Sequence, residues 1–139
     1  MSTCPEGELL IKLANLQTRI QKRLSSALAP HGISFTEYLV LFQLNQAPGK
    51  TMRRIDLAEK VGLSASGVTR LLNPMQKIGL VKKEENARDA RVSLVALTGT
   101  GNTIFQDAET SFNQAAEALL RAIENKDQAA LSGLVNALL

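Results

Sequence analysis

The stretch Arg54-Ile55-Asp56-Leu57-Ala58-Glu59-Lys60-Val61-Gly62-Leu63-Ser64-Ala65-Ser66-Gly67-Val68-Thr69-Arg70-Leu71-Leu72 decides the fold. Ile55, Leu57, Ala58 and Val61 fall at helical spacing, so Arg54 to Val61 reads as a short helix. Gly62-Leu63 breaks it, and Ser64 is a good N-cap for a following helix. That helix carries Val68, Leu71, Leu72, Met75 and Ile78 on its inner side and ends at Gly79. A short helix, a tight turn with glycine and a longer helix make a helix-turn-helix. Pro74 lies inside the longer helix. It removes one N–H and crowds the carbonyl of Arg70, at roughly 3 kcal/mol in a helix interior. A kink near Arg70, or last turns set at an angle, is expected.

Downstream, Leu80 to Glu84 and Val92 to Leu97 read as two strands. The second alternates, with Val92, Leu94 and Ala96 on one face and Ser93, Val95 and Leu97 on the other. The loop from Glu85 to Arg91 is too long and charged for a two-residue turn. Two strands with a charged tip after a helix-turn-helix form a wing.

Upstream, Leu9, Leu13, Leu16, Ile20, Leu24 and Leu28 mark one long amphipathic helix from Glu8 to Ala29, closed by Pro30-His31-Gly32. Ser34 and Glu37 form a capping box, with Ile33 and Tyr38 placed as a hydrophobic staple. The second helix turns Leu39, Phe42 and Leu44 inward. At the other end, Thr98 to Glu124 reads as a long helix with Ile104, Phe105, Phe112, Leu119 and Ile123. Asn125-Lys126-Asp127 interrupts it, and Asp127 caps a last helix with Leu131, Leu134, Val135 and Leu138. So much apolar surface on terminal helices calls for packing on each other or on a second copy. The fold expected is mainly α: a winged helix-turn-helix at 34–97, flanked by long terminal dimerisation helices at 1–33 and 98–139.

Composition narrows the function. Ten basic and five acidic residues lie between Lys50 and Arg91, a net charge of +5; the rest of the chain has six and eight, a net of −2. A basic middle between neutral or acidic ends is the footprint of a polyanion site, although a solvated charged surface has the same count. One cysteine and one histidine leave neither a disulfide nor a zinc set, and no metal or cofactor is expected. With no G-x-S-x-G turn and no glycine-rich phosphate loop, no catalytic residue is assigned. Cys4 reads as part of a frayed terminus without a partner, and no redox role is assigned to it. The longest apolar run, Tyr38 to Phe42, cannot span a bilayer, and no basic-then-apolar leader opens the chain. No membrane association and a cytoplasmic location are the expectation. With one tyrosine, four phenylalanines and no tryptophan, duplex binding is favoured over single-strand stacking.

The order of elements resembles the MarR family of bacterial regulators. The resemblance is carried by Ile55-Asp56-Leu57-Ala58, Ser66-Gly67-Val68-Thr69-Arg70-Leu71-Leu72, Gly79-Leu80-Val81, Arg88-Asp89-Ala90-Arg91 and Val95-Ala96-Leu97-Thr98. It implies a homodimer that holds a pseudo-palindromic duplex operator, with the fourth helix in the major groove and the wing in the minor groove. Asp89 would then orient Arg91 at the wing, with Arg88 beside it. Ser64, Ser66, Thr69 and Arg70 occupy the first turns of the recognition helix, where arginine reads guanine and the hydroxyls are ambiguous readers. Ser64 is equally explained as a cap, and Gly67 serves either close approach to DNA or packing. Arg53 and Arg54, at the start of the third helix, suit phosphates. Many relatives release DNA on binding a small aromatic acid near the junction of the first two helices. The residues there are His31, Phe35, Tyr38 and Phe42, which ordinary core packing explains as well. The functional expectation is a dimeric DNA-binding transcriptional repressor released by a small effector. The alternative is a winged-helix protein-interaction module that does not touch DNA.

Overall fold

A computed structural model describes residues 2–139. Helix α1 (Pro5–Leu28) is followed by a 3-10 turn (Ala29–His31), α2 (Phe35–Gln46), β1 (Thr51–Arg53), α3 (Arg54–Val61) and α4 (Ala65–Lys77). Strands β2 (Val81–Glu85) and β3 (Ser93–Leu97), then α5 (Gly99–Leu120) and α6 (Asn125–Leu138), complete the chain. The mainly helical winged fold is as expected, and most helix starts follow from their caps. The Ser34–Glu37 capping box is formed in both directions, at 2.8 and 3.1 Å. Ser64 accepts from Gly67 N–H, and Thr98 from Gly101 N–H.

Three local readings need correction, at Cys4, Asp127 and Ile78. Helix α1 starts at Pro5, with Cys4 as its N-cap: the thiol sulfur accepts from Gly7 N–H at 3.4 Å, so Cys4 belongs to an element. Glu124, not Asp127, holds the N-cap position of α6, and Gln128 Nε2 donates back to the carbonyls of Leu120 and Ile123. Helix α4 extends through Pro74 to Lys77. Pro74 is exposed three residues from the helix end, so the Arg70 carbonyl that loses its N–H partner stands on the solvent face. Ile78 is not inward but 60% exposed, because its backbone (φ −92°, ψ 4°) has left the helix.

The sheet has three strands in the order β1-β3-β2, all antiparallel. Thr51-Met52-Arg53, to which the sequence assigns no strand and whose Arg53 it places at the start of the third helix, pairs with Leu94 to Ala96 along the other edge of β3. Helices α2 and α3 pack against the central strand, and Val95, Ala96 and Leu97 are all buried rather than alternating. The core gathers Leu28, Tyr38, Leu41, Leu44, Leu57, Val68, Leu72, Met75, Leu80, Val95 and Phe105. Each such fully buried side chain contributes roughly 1.5–3 kcal/mol. In α2, Tyr38, Val40, Leu41 and Leu44 are buried while Leu39 and Phe42 are half-buried, since α1, α3, α5 and β3 surround this helix.

The terminal helices are less covered. Only Leu24 and Leu28 of α1 are buried, and no residue of α6 is. Leu9, Leu10, Ile11 and Leu16 of α1 and Leu131, Leu134, Val135 and Leu138 of α6 stay exposed in the single chain.

Candidate nucleic-acid interface

Helix α4 turns Val68, Leu72 and Met75 into the core. Its outward face carries Ser66 and Arg70, and Asn73 and Lys77 continue it. Asn73 was not singled out from sequence, yet its spacing of three from Arg70 and seven from Ser66 puts it on that face. The hydroxyls of the first turn are largely occupied. Ser64 Oγ caps the helix and lies 3.2 Å from Ser66 Oγ. A Cβ on Gly67 would stand 3.2 Å from that capping oxygen, so packing alone explains the glycine. Thr69 Oγ1 donates to the Ala65 carbonyl at 3.0 Å and accepts from Arg54 Nη2 at 2.6 Å. Thr69 thus anchors Arg54 to the recognition helix, a role its sequence position did not suggest.

The wing tip is built by short side chains. Asn86 Oδ1 accepts from Arg88 N–H at 2.8 Å, closing the turn that presents the exposed Arg88. Asp89 Oδ1 accepts from the backbone N–H and Nε of Arg91, and Oδ2 from Nη2, all at 3.0–3.2 Å. Hydrogen bonds from Arg91 hold the Asp89 carboxyl below the usual carboxylate range. The Arg91 side chain remains 90% exposed.

A second pair of this kind stands at the start of α3. Arg53 Nε and Nη2 donate to the two oxygens of Asp56 at 2.9 and 3.0 Å. This hydrogen bonding lowers the Asp56 carboxyl and raises the already high Arg53. Arg53, Arg54, Thr69 and Arg91 converge on one open cleft of about 360 Å³ between the start of α4 and the base of the wing. Ile55 and Val92 supply apolar wall. Arg70 and Arg88 do not line it. Asp56 and Asn86, the two supports, were missed as site residues, although an Arg/Asp pair three residues apart is a readable signal.

His31, Phe35, Tyr38 and Phe42 do come together, against α5. His31 Nε2 lies 2.8 Å from Ser111 Oγ. Tyr38 stacks on Phe112 at 4.5 Å and packs on Phe105 at 5.2 Å, with Phe35 against Phe112 and Phe42 against Phe105. The rings fill the space between α2 and α5. Burial, then the Glu109 charge, pushes the Tyr38 phenol from 10.0 up to about 12. The folded state therefore holds the Tyr38 proton more tightly than the unfolded chain. This contribution to stability is complete below pH 10 and is lost as pH rises through about 12. The expected loss is on the order of 2 kcal/mol, absent from Tyr38→Phe, and denaturant melts across that window measure it.

Among the described residues, no group of three His, Cys, Asp or Glu is placed to hold a metal. No helix there is long and apolar enough to cross a membrane.

A winged helix-turn-helix with a paired-arginine cleft defines the class. Residues 31–92 match the sequence profile of the MarR family. That segment carries the family's sequence pattern, and the whole chain takes a fold similar to solved proteins of that family. Its fold is similar to AbsC of Streptomyces coelicolor, with a TM-score of 0.89, 18% identity and coverage of 99% of this chain and 95% of that one. Sco3205 of the same organism, solved in complex with DNA, gives 0.89, 18%, 99% and 89%. A mutant MarR of Escherichia coli complexed with operator DNA gives 0.85, 22%, 99% and 99%. Among curated proteins the chain is similar to the HTH-type transcriptional regulator PrsX of Escherichia coli, 27% identical over 102 residues, or 73% of this chain. The match spans 61% of that relative's length.

Proposed function

We propose that this protein is a homodimeric, sequence-specific duplex-DNA-binding transcriptional regulator acting in the cytoplasm without catalysis, a repressor that a small aromatic effector releases. The observation that carries the reading is the convergence of Arg53, Arg54 and Arg91 on one cleft beside the outward face of α4. Arginines with an exposed edge suit phosphates and a narrow minor groove, while the α4 face that bears Arg70 suits base edges. Ser64, Ser66 and Thr69 serve this reading by shaping the helix start, and Arg88 by its place on the wing tip. The DNA complexes of Sco3205 and of the mutant MarR support it by fold. For the effector, the aromatic junction of His31, Phe35, Tyr38 and Phe42 against α5 is the site: a flat acid would enter by parting these rings.

The exposed leucines of α1 and α6 motivate the dimer. Light scattering at micromolar concentration is expected to give twice the 15.0 kDa chain mass; a monomer mass would remove the dimer from the proposal. Selection of binding sites from random duplexes is expected to return a pseudo-palindrome with half-sites about one helical turn apart, bound less tightly as salt rises. Recovery of no sequence, with a flat salt response, would leave the protein-interaction reading.

A further inference from the structure

The wing pair is not alone in its geometry. Both Arg53 and Arg91 are gripped along the same side, Nε and Nη2, by a carboxylate within three residues. This side-on grip leaves the Nη1 end of each guanidinium without a partner among the described residues. Both arginines line one cleft, one from the α3 side and one from the wing side. An arginine loses several rotatable bonds' worth of freedom on meeting a phosphate, at about 0.5–1.5 kcal/mol per immobilised side chain. A carboxylate that fixes the chain beforehand removes that cost from binding.

We infer that Asp56 is a positioning residue for duplex binding: it holds Arg53 side-on so that its free end meets the DNA backbone across the cleft from Arg91. The inference rests on the proposed duplex binding and deepens it. A rival role for Asp56 predicts the opposite sign. A carboxylate beside a polyanion repels it, so if Asp56 does nothing but sit there, removing its charge strengthens binding. If it positions Arg53, removing it weakens binding despite the gained positive charge. Asp56 also lies in the first turn of α3, where an acid favours the helix dipole, so stability must be followed separately.

The test is fluorescence anisotropy of the full-length protein on a labelled mixed-sequence duplex, with melting curves alongside. Asp56→Asn is expected to bind about threefold to tenfold more weakly per protomer. Asp56→Glu, which keeps charge and reach, is expected to recover most of the loss. Arg53→Lys keeps the positive charge but cannot be gripped along two N–H groups, and should match Asp56→Asn. In an Arg53→Ala background, Asp56→Asn should have no further effect. Tighter or unchanged binding by Asp56→Asn, or an equal loss in the Arg53→Ala background, overturns the positioning role while leaving duplex binding intact. Failure of the wild-type protein to bind any duplex overturns the functional reading itself. Should Asp56→Asn melt below the assay temperature, the Arg53→Lys arm decides alone.

Discussion

Gly101→Ala is expected to destabilise the fold by on the order of 3 kcal/mol, although alanine is the better helix former. Gly101 sits in the first turn of α5, where Thr98 ties the helix to the end of the recognition helix. Thr98 Oγ1 stands within hydrogen-bond reach of the Gly79 and Leu80 carbonyls, and Thr98 N–H donates to Leu80 at 3.2 Å. The close approach leaves no room: a Cβ on Gly101 would lie 2.0 Å from the Leu80 carbonyl oxygen and 2.9 Å from Leu97 Cδ1. The Leu97 methyl can move; the Leu80 carbonyl cannot, because it accepts from Thr98. Helix α5 must therefore lift away, opening the contact beneath Phe105 and Ala108, both buried. Overpacking of this kind costs about 1–3 kcal/mol and more where backbone is struck, against a helix-propensity gain of about 1 kcal/mol. The melting temperature should fall by about 10 °C. Gly99→Ala is the control, since nothing lies within 4 Å of its Cβ position in the same helix start. If Gly101→Ala melts with Gly99→Ala, the close approach is wrong.

Arg70→Ala and Arg91→Ala are expected to give the largest losses of DNA binding, and to differ in kind. Arg70 is exposed on the outward face of α4, with no partner holding its side chain among the described residues. As a base reader it contributes about 1–3 kcal/mol per contact at the selected site, and its removal relaxes preference at one position per half-site. A homodimer presents it twice, so the loss per dimer is about double. In the proposed reading Arg91 acts through groove potential and charge, so Arg91→Ala should weaken selected and scrambled duplexes more evenly and flatten the salt dependence. Neither arginine supports the core, and neither substitution should lower the melting temperature appreciably. Anisotropy on both duplexes with parallel melts separates the cases. Wild-type affinity in both folded mutants would refute the assignment of α4 and the wing to DNA.

What could be read from the chain was what neighbouring residues decide. The caps at Ser34 and Ser64 and the helix-turn-helix depend on contacts within a few positions, and they stand where expected. The strand Thr51-Met52-Arg53 was illegible because three residues have no period; they are a strand only because β3, some forty positions on, offers an edge. Ile78 has the right spacing for the core, but the helix ends one residue before it. Of the site, each arginine could be named, yet not the cleft that gathers Arg53, Arg54 and Arg91. Thr69 was legible as a helix-face residue and not as the acceptor for Arg54, fifteen positions away. The Leu9 to Leu16 face of α1 follows its predicted stripe but finds no cover in one chain, since its partner surface lies on another molecule in the reading proposed.

The short strand β1 has a mechanical meaning. Its pairing with β3 continues directly into Arg53 and α3, so the wing's central strand and the start of the helix-turn-helix share one ladder. Swinging the wing by itself would tear those hydrogen bonds, and bending α3 away would do the same. The lobe is a caliper jaw with fixed teeth. On the proposed reading, fitting a longer or shorter gap between half-sites would require two such jaws to travel as whole bodies. In the dimer proposed above, the adjustment would then come from the sparsely buried ends of α1 and α6, and an effector that shifted those ends would retune the gauge without touching a tooth.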